Sequence, residues 1–516
     1  MSLTRRAGLV FLCACAYLGW LAASRFVLVL NDEGIYLDGG LRVLHGQAPY
    51  KDFFSLTGPG TFVLEAASFR VFGATLTAAR IPVVWDIAIL TACLFWLVCK
   101  SSDSKQSNQL TAAFASFAFL AFATLGETAV TANHRWDSSA WAVLAATLII
   151  ALSEHAAADS KGSSAISFSA GIAVGIAAWC TPPVALAVVA LGACLVANRA
   201  TRSLIVSYAG GVALALGAGL LWLTAKGAVP AMLDSFLWSA SNYSGANRVW
   251  YGSVTGGYAN LLHGGSFADS ATTMVLLAFL TLPATLPFLS AIWLWKRPSM
   301  SVVVLLTAGA ALILSTYPRW DLNHLTWVSA PFYALVAVLI TRASSSYRKV
   351  AAVIVLIAAG SCIMVSIQQR LRETARVTSV GTVHGKLADL DVLALIQARV
   401  KPTDTLFVFP YRPLLYFVTG ARNPTRYSFL QPGMFSDQDE SEALSALRAY
   451  PPRWVFYTEV PPEAYLRIWP GSDPRRLQMP GIEAFLRENY QGTEQWADFK
   501  LLTLTDARDS VQTALH

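Results

Sequence analysis

Charged residues are scarce in this sequence. Asp, Glu, Lys and Arg together account for 13% of the 516 residues, hydrophobic residues account for 55%, and the mean hydropathy is +0.50. A soluble domain ordinarily carries roughly 25% charged residues. Because long apolar runs also recur along the chain, the composition predicts a polytopic α-helical membrane protein and excludes an ordinary soluble enzyme.

The regions outside the apolar segments contain no cysteine, and the sequence contains no common nucleotide-binding or hydrolase motif. All seven cysteines lie within or at the ends of apolar segments, so we expect no disulfide framework and no cysteine-based metal site. The sequence has no Walker motif, no G-x-S-x-G motif and no G-x-G-x-x-G followed by a suitable acidic residue. Intracellular nucleotide-sugar chemistry is therefore unsupported.

The apolar segments predict about eleven transmembrane helices. Two pairs of neighbouring spans are divided by prolines, at Thr181-Pro182-Pro183 and at Pro318. The predicted spans are 7–30, 80–99, 109–126, 137–155, 165–180, 182–198, 204–225, 271–295, 302–316, 325–341 and 349–367.

Lys and Arg are distributed unevenly between the two sides of these spans. Every short loop on one side carries at least one, and such loops are normally cytoplasmic. We therefore expect a cytoplasmic N-terminus, a first segment retained as an anchor, and an external tail in a bacterial-type inner membrane. Since this asymmetry accounts for the net charge of +7, no nucleic-acid partner is expected. The basic residues are Arg5, Arg6, Lys100, Lys105, Lys161, Arg199, Arg202, Lys296, Arg297, Arg342, Arg348 and Lys349.

The chain divides into a membrane domain, residues 1–367, and an external soluble domain, residues 368–516. The membrane domain contains a first external loop, 31–79, and a second, 227–270, whose many aromatic residues suit either an interfacial belt or a sugar-binding surface. Helical and strand-like patterns alternate in the tail and predict a small α/β layer. The predicted elements are helices over 387–400, 439–449 and 481–490 and strands over 405–409, 454–457 and 499–504.

An acidic pair, Asp32-Glu33, follows the first apolar segment directly. Two carboxylates where a helix leaves the membrane carry a high free-energy cost unless they are solvated or paired with cations, and their presence otherwise indicates a function. A sugar on a lipid phosphate already carries a good leaving group, so an enzyme acting on it needs a base for the acceptor hydroxyl and cations for the departing phosphate. A carboxylate just outside the membrane lies at the height of that phosphate. The alternative is that Asp32 or Asn31 caps a surface helix.

The first external loop resembles that of the GT-C glycosyltransferases, which use polyprenyl-phosphate sugars. The resemblance is continuous over residues 31–80 and points to the protein O-mannosyltransferase and lipid A aminoarabinose transferase branch, with its lipopolysaccharide-core galacturonosyltransferase-like members. Relatives often have two prolines where this chain has Gly58-Pro59-Gly60. The matching motifs are Asp32-Glu33-Gly34-x-Tyr36, Gly46-x-x-Pro49-Tyr50-x-Asp52-Phe53, Gly58-Pro59-Gly60, Phe72-Gly73 and Arg80.

The resemblance implies a GT-C fold and transfer of a sugar from a polyprenyl-phosphate donor to a lipid, polysaccharide or protein hydroxyl. Asp32 matches the position of the family's catalytic base, with Glu33 as its catalytic neighbour and Tyr36 in support. Inversion at the anomeric carbon is expected, because direct displacement needs one base and no second nucleophile. The lipid bilayer is the remaining expected partner.

Two short loops on the same side of the membrane add candidate residues. In the first, His134 and Arg135 are placed to meet an anionic lipid head group, while Asp137 is either a supporting residue or the cap of the fourth span. Lys51, beside the Pro49-Tyr50 turn, is a further candidate for the lipid phosphate or a solvated loop charge.

The second loop runs from Tyr317 to His324, and related proteins often have a Pro, an Asp and a His in the corresponding loop. Arg319 and His324 are candidates for holding phosphate, with Asp321 in support, because guanidinium forms bidentate contacts with phosphate. The alternative is an Arg319–Asp321 surface pair of little energetic weight.

No metal cofactor is predicted. The acidic pair, His134, Asp137, Asp321 and His324 have no spacing that matches a metal motif, although some GT-C enzymes use a divalent ion. The competing functions are a transporter or flippase, which would need ionisable groups near mid-membrane, and a non-catalytic envelope assembly protein. Loss of activity in Asp32→Asn with folding retained would separate an enzyme from both.

Overall fold

Two structural parts follow one another along the chain, a helical part that ends at Leu371 and a mixed α/β part after it. The computed structural model describes residues 2–28, 32–101, 105–126, 129–155, 160–251, 299–496 and 499–505. The helices of the first part are α1 Leu3–Ala22, α2 Glu33–Leu44, α3 Gly60–Phe72, α4 Leu76–Ala79, α5 Ile81–Lys100, α6 Lys105–Ala123, α7 His134–His155, α8 Ser160–Cys180, α9 Ala185–Ala197, α10 Ile205–Ala225, α11 Val229–Trp238, α12 Ser244–Ala246, α13 Met300–Ser315, α14 Leu322–Trp327, α15 Ala330–Thr341 and α16 Ser345–Leu371.

Six helical segments among the described residues are long and apolar enough to cross a membrane, and four further apolar helices are shorter. Each predicted span except 271–295 coincides with one of the helices, although α14 and α15 divide the span predicted at 325–341. The segment 271–295 lies outside the described residues, as does 252–270 of the second loop. The total of eleven spans therefore stays a prediction.

The first span was predicted to run to residue 30, but α1 ends at Ala22. Beyond it the backbone leaves the helical hydrogen-bond ladder and pairs with the C-terminal part. Phe26 N donates to His384 O at 2.7 Å, and His384 N donates to Ser24 O at 2.7 Å. A buried ion pair between Arg25 and Glu373 lies beside these bonds. Phe26 and Val27, which follow Ala22, are therefore covered by protein.

The first loop folds into α2, α3 and α4, and α2 contacts both halves of the molecule. A Cβ on Gly39 would lie 2.5 Å from the Phe62 ring, so the glycine allows α2 and α3 to approach closely. A Cβ on Gly34 would lie 1.9 Å from the backbone nitrogen of Leu414 in the C-terminal part. Glycine next to the acidic pair therefore lets the start of α2 lie directly on that part of the chain.

The C-terminal part contains a β-hairpin and a four-stranded mixed sheet. The hairpin pairs β1 with β2, and the sheet order is β3-β4-β6-β5, with β3 and β4 parallel and the remaining pairs antiparallel. Helices alternate with these strands, as the predicted α/β layer requires. The elements are β1 Thr374–Thr378, β2 Gly381–Gly385, α17 Leu387–Arg399, β3 Leu406–Phe409, α18 Leu414–Thr419, α19 Asp437–Ala449, β4 Trp454–Thr458, α20 Pro462–Ile468, α21 Pro480–Asn489, β5 Tyr490–Trp496 and β6 Phe499–Leu504.

One hydrophobic core is shared between the first loop and the C-terminal part. Phe62 and Phe69 of α3 are buried together with Leu415 and Phe417 of α18, and the rings of Phe69 and Phe417 stack at 5.5 Å. The two parts are thus held in one arrangement by a common apolar interior. Their polar residues meet at the edge of this core, where the candidate site lies.

Candidate functional site

A cavity of about 280 Å³ lies between the start of α2, the loops before α7 and α14, and the C-terminal part. Its two sides differ in chemistry. We call the acidic, basic and histidine residues that line it from the helical part the charged wall; they are Asp32, Glu33, His134, Arg319, Asp321 and His324. The other side, the C-terminal wall, consists of Tyr411, Phe429, Gln431, Met434, Ile468 and Trp469.

Asp32 occupies the N-cap position of α2, but its side chain makes no capping hydrogen bond. The carboxylate instead accepts a hydrogen bond from the Tyr411 hydroxyl. Burial, together with the negative charge of Asp32, raises the pKa of Tyr411 well above its ordinary value, so the phenol remains a donor. The alternative that Asp32 serves as a helix cap is therefore wrong, and Asn31 lies outside the described residues.

Glu33 is enclosed by its partners. Its side chain forms a bidentate ion pair with Arg80, with Nε–Oε1 at 2.8 Å and Nη2–Oε2 at 2.9 Å, and it accepts a third hydrogen bond from Ala132 N at 3.2 Å. The residue is only 1% exposed. Both oxygens are therefore committed within the protein, which separates Glu33 chemically from the neighbouring Asp32 and gives the Arg80 of the loop motif a structural partner.

Arg319, Asp321 and His324 form a connected group. Asp321 begins α14 and accepts from the backbone nitrogen of His324 at 3.0 Å. The Asp321 carboxylate also accepts from Arg319 Nε at 2.5 Å and lies 2.8 Å from His324 Nδ1. Arg319 is 8% exposed and Asp321 is 2% exposed, so the alternative of a weak surface pair is wrong.

The geometry leaves part of this group available to a ligand. Arg319 Nη1 donates to Asn247 Oδ1 at 3.3 Å, whereas Nη2 makes no hydrogen bond to any of the described residues. Burial lowers the pKa of His324 below its ordinary value, although Asp321 acts in the opposite direction. Burial tends to raise the pKa of Asp321, but His324 and Arg319 outweigh it and hold that pKa well below its usual range.

His134 and Tyr36 line the same cavity. His134 Nδ1 lies 2.7 Å from the Thr181 hydroxyl oxygen, and the His134 ring lies 5.7 Å from the Tyr36 ring. Burial raises the pKa of Tyr36 well above its ordinary value, with Asp32 acting in the same direction, so this phenol is neutral too. Both residues are therefore placed to contact a ligand bound between the two walls.

Three other predicted residues do not line the cavity. Arg135 donates to Ser315 O at 2.6 Å. Asp137 lies in the first turn of α7, and its carboxylate accepts a hydrogen bond from the Thr61 hydroxyl instead of capping the fourth span. Lys51 donates from Nζ to Lys226 O at 2.9 Å at the molecular surface. Arg135 and Lys51 thus lie outside the lining of this cavity, each donating to a backbone carbonyl, and their role as phosphate ligands stays a prediction.

The sequence pattern gave no indication of the C-terminal wall. Apart from Gln431 its residues are ordinary aromatic and aliphatic side chains, and they reach the cavity only because the C-terminal part packs on the first loop. The fold brings the Tyr411 hydroxyl to Asp32 across 379 residues of sequence. Within the described ranges, no group of three His, Cys, Asp or Glu side chains is placed to hold a metal ion.

The fold of this chain is similar to the folds of several solved structures. No protein-family model matches the chain, and no curated protein sequence matches it. Solved structures do match: ArnT from Cupriavidus metallidurans bound to undecaprenyl phosphate aligns with a TM-score of 0.56 and 12% identity, over 98% of each chain.

Two further matches have different activities in their names. The oligosaccharyltransferase AglB from Archaeoglobus fulgidus, in complex with an inhibitory peptide and a dolichol-phosphate, has a TM-score of 0.52 and 12% identity over 95% of this chain and 74% of its own. The arabinofuranosyltransferase AftD from Mycobacteria has a TM-score of 0.51 and 13% identity over 98% of this chain and 42% of its own. At these identities the matches establish the fold and assign no residue a role.

Proposed function

We propose that this chain is an integral-membrane glycosyltransferase that takes a sugar from a polyprenyl-phosphate donor. The observation that carries the proposal is that a carboxylate, Asp32, a cation, Arg319, and the imidazole of His324 line one cavity of about 280 Å³. A base and a phosphate site are the two elements that direct displacement from a lipid phosphate requires. Transport would not require this pairing.

In the proposed reaction Asp32 accepts the proton of an acceptor hydroxyl. The acceptor oxygen forms a bond to the anomeric carbon of the sugar while the bond from that carbon to the phosphate oxygen breaks. The polyprenyl phosphate leaves with the bonding electrons. Attack from the face opposite the phosphate inverts the anomeric carbon, and no covalent enzyme intermediate is needed.

Arg319 and His324 hold the departing phosphate. Asp321 orients both, since it contacts Arg319 Nε and His324 Nδ1 through different carboxylate oxygens. The unoccupied Nη2 of Arg319 is the donor available to phosphate. Tyr36 and His134 support the sugar between the walls, and Glu33 is a positioning residue that fixes the start of α2 through Arg80.

The donor class is supported by two neighbouring folds whose structures contain undecaprenyl phosphate and dolichol-phosphate. Both ligands are polyprenyl phosphates. A lipid, polysaccharide or protein hydroxyl is the acceptor, and the mechanism requires neither a nucleic acid nor a metal ion. Asp32 and the phosphate group together supply the proton transfer and charge stabilisation.

We place the reaction on the external face of a bacterial-type inner membrane, with residues 1–367 in the bilayer, the loops 31–79 and 227–270 outside it, and residues 368–516 in the external space. The Lys/Arg asymmetry of the short loops supports this orientation. A phosphatase fused after residue 370 should be active outside the cytoplasm. Activity of a cytoplasm-only reporter at that position would reverse the orientation.

The donor site is tested by titrating the full-length chain in detergent with undecaprenyl phosphate. Arg319→Gln and His324→Gln should each weaken binding, by about tenfold or more for the arginine because a charge-assisted hydrogen bond is lost. Arg475→Gln is the matched control, since the Arg475 side chain is 88% exposed and pairs with Asp473 on the surface. Equal binding by all variants at unchanged melting temperature would contradict the proposed phosphate site.

Transfer itself is tested with synthetic undecaprenyl-phosphate hexoses carrying a radiolabelled sugar, incubated with the protein and an envelope extract of the cells that make it. Label should leave the donor and appear in a lipid, glycan or protein fraction only with the wild-type chain. A flippase or assembly protein would bind the donor and leave its sugar bond intact. If the donor remains intact for every sugar tested, the proposal that this chain is a glycosyltransferase is refuted.

A further inference from the structure

The C-terminal wall differs in chemistry from the charged wall that it faces. Tyr411, Phe429, Gln431, Met434, Ile468 and Trp469 include no ionisable side chain other than a phenol held neutral. A phosphate or carboxylate would find no cation among these residues. The wall is suited to an uncharged group that has both an apolar face and hydrogen-bonding edges.

Trp469 supplies a flat surface at this wall. The indole is half-buried, and its ring centroid lies 6.1 Å from those of both Tyr411 and Tyr465. The segment after it rests on the helical part, because a Cβ on Gly471 would lie 2.1 Å from the carbonyl oxygen of Gly245. Trp469 is therefore held in place relative to the charged wall and does not belong to a separate, unsupported loop.

Gln431 supplies hydrogen-bonding capacity that the protein does not use. The residue is 2% exposed and lines the cavity, yet its amide nitrogen is buried without a partner among the described residues. A buried amide donor left unpaired is destabilising, so such a group at a cavity indicates a missing partner. A ligand hydroxyl would satisfy it.

Tyr411 connects this wall to the proposed base. Its hydroxyl donates to Asp32, and its ring contacts those of Phe429, at 5.0 Å, and Trp469. A hydroxyl that reaches Asp32 from the C-terminal side has the rest of its molecule beside Trp469 and Gln431. The donor phosphate, by contrast, belongs to Arg319 and His324 on the charged wall.

We infer that the C-terminal wall is the acceptor subsite and that the unit it holds is an uncharged sugar. The inference rests on the proposed function and narrows its acceptor from a lipid, glycan or protein hydroxyl to a sugar hydroxyl. The apolar C–H face of a sugar ring packs on an aromatic face, while its hydroxyls pair with an amide. A cavity of about 280 Å³ is near the lower end of the volumes that hold small molecules.

The test uses saturation-transfer NMR on the full-length chain in detergent, with a panel of neutral methyl hexosides and pentosides as probes. At least one glycoside should bind. Its binding should weaken about tenfold in Trp469→Ala and about three- to tenfold in Gln431→Met, since a ring contact and a hydrogen bond are lost. Trp496→Ala and Gln495→Met are matched controls in β5, away from the cavity, and should bind as the parent does.

Three results would overturn the inference. The first is that no glycoside binds to the parent or to any variant. The second is glycoside binding that depends on Arg319 but not on Trp469 or Gln431, which would place the sugar with the donor. The third is that N-acetylthreonine amide, added to the panel, binds in place of the glycosides, which would indicate a protein acceptor. Undecaprenyl phosphate is titrated in parallel. Glycoside binding that requires Trp469 without any binding of undecaprenyl phosphate would refute the proposed function while supporting the sugar subsite.

Discussion

The hydroxyl of Tyr411 donates a hydrogen bond to the carboxylate of Asp32, so a residue of the C-terminal part fixes the side chain proposed as the base. Because the Asp32 side chain makes no helix-capping bond, this contact determines which way the carboxylate faces. The relationship makes the C-terminal part a component of the site. It also gives the first prediction.

Tyr411→Phe should reduce the rate of transfer without altering donor affinity. Loss of one hydrogen bond of about 0.5–1.5 kcal/mol corresponds to about a 2- to 12-fold fall in kcat. Tyr490→Phe is the control, because Tyr490 does not line the cavity and its hydroxyl donates to Pro452 O at 2.8 Å. Steady-state kinetics of both variants decide the matter: a rise in the donor KM with kcat unchanged would assign Tyr411 to donor binding instead.

Asp32→Asn should abolish most transfer and leave the fold intact. The amide keeps the shape of the side chain but cannot accept the acceptor's proton, and loss of a general base typically costs about 10²–10⁴ in rate. The residue is exposed to the cavity, so melting temperature and undecaprenyl phosphate binding should stay near parental values. Asp391→Asn, in a surface pair with Arg376, is the control. Parental transfer by Asp32→Asn would remove Asp32 from the mechanism.

Glu33→Gln should mainly lower the stability of the fold. Breaking one side of a buried ion pair typically costs about 3–5 kcal/mol, and Arg80 would be left with an uncompensated charge. The double variant Glu33→Gln/Arg80→Gln should recover part of the lost melting temperature. If Glu33→Gln melts like the parent but transfers no sugar, Glu33 and not Asp32 is the base.

Binding of undecaprenyl phosphate should depend on pH through His324. The pKa of His324 is lowered by burial, so the free imidazole is neutral at pH 7; an adjacent phosphate anion favours the protonated ring, and binding takes up a proton. The association constant of the parent for undecaprenyl phosphate, divided by that of His324→Gln, should therefore increase as pH falls from about 7.5 to 5.5. The ratio also cancels the titration of the phosphate itself, whose second pKa is about 6. Parallel binding curves would show that His324 does not meet the phosphate.

The sequence allowed prediction of those features that depend on local pattern. Apolar length predicted most helices, and the loop motif predicted a functional position for Asp32, which lines the cavity. Both signals lie within a few dozen consecutive residues. Local pattern also placed Arg319, Asp321 and His324 together, since they are separated by only five positions. The small α/β layer followed from alternating helix and strand patterns.

The directions of individual side chains could not be predicted in the same way. Helix α7 begins at His134, three residues before the predicted span, and its first turn directs Arg135 to Ser315. The ion pair of Glu33 with Arg80 joins residues 47 positions apart, and the C-terminal wall joins residues still farther apart. Such contacts are determined by tertiary packing and have no local signature.

The separation of Asp32 from Tyr411 also sets an order of events during biosynthesis. At ribosomal rates of about 5–20 residues per second, roughly 20–75 s pass between the synthesis of the carboxylate and that of the phenol that restrains it. Throughout that interval the nascent chain has membrane helices and an acidic pair but no opposing wall. The cavity is therefore completed only after its last lining residue, Trp469, has been synthesised.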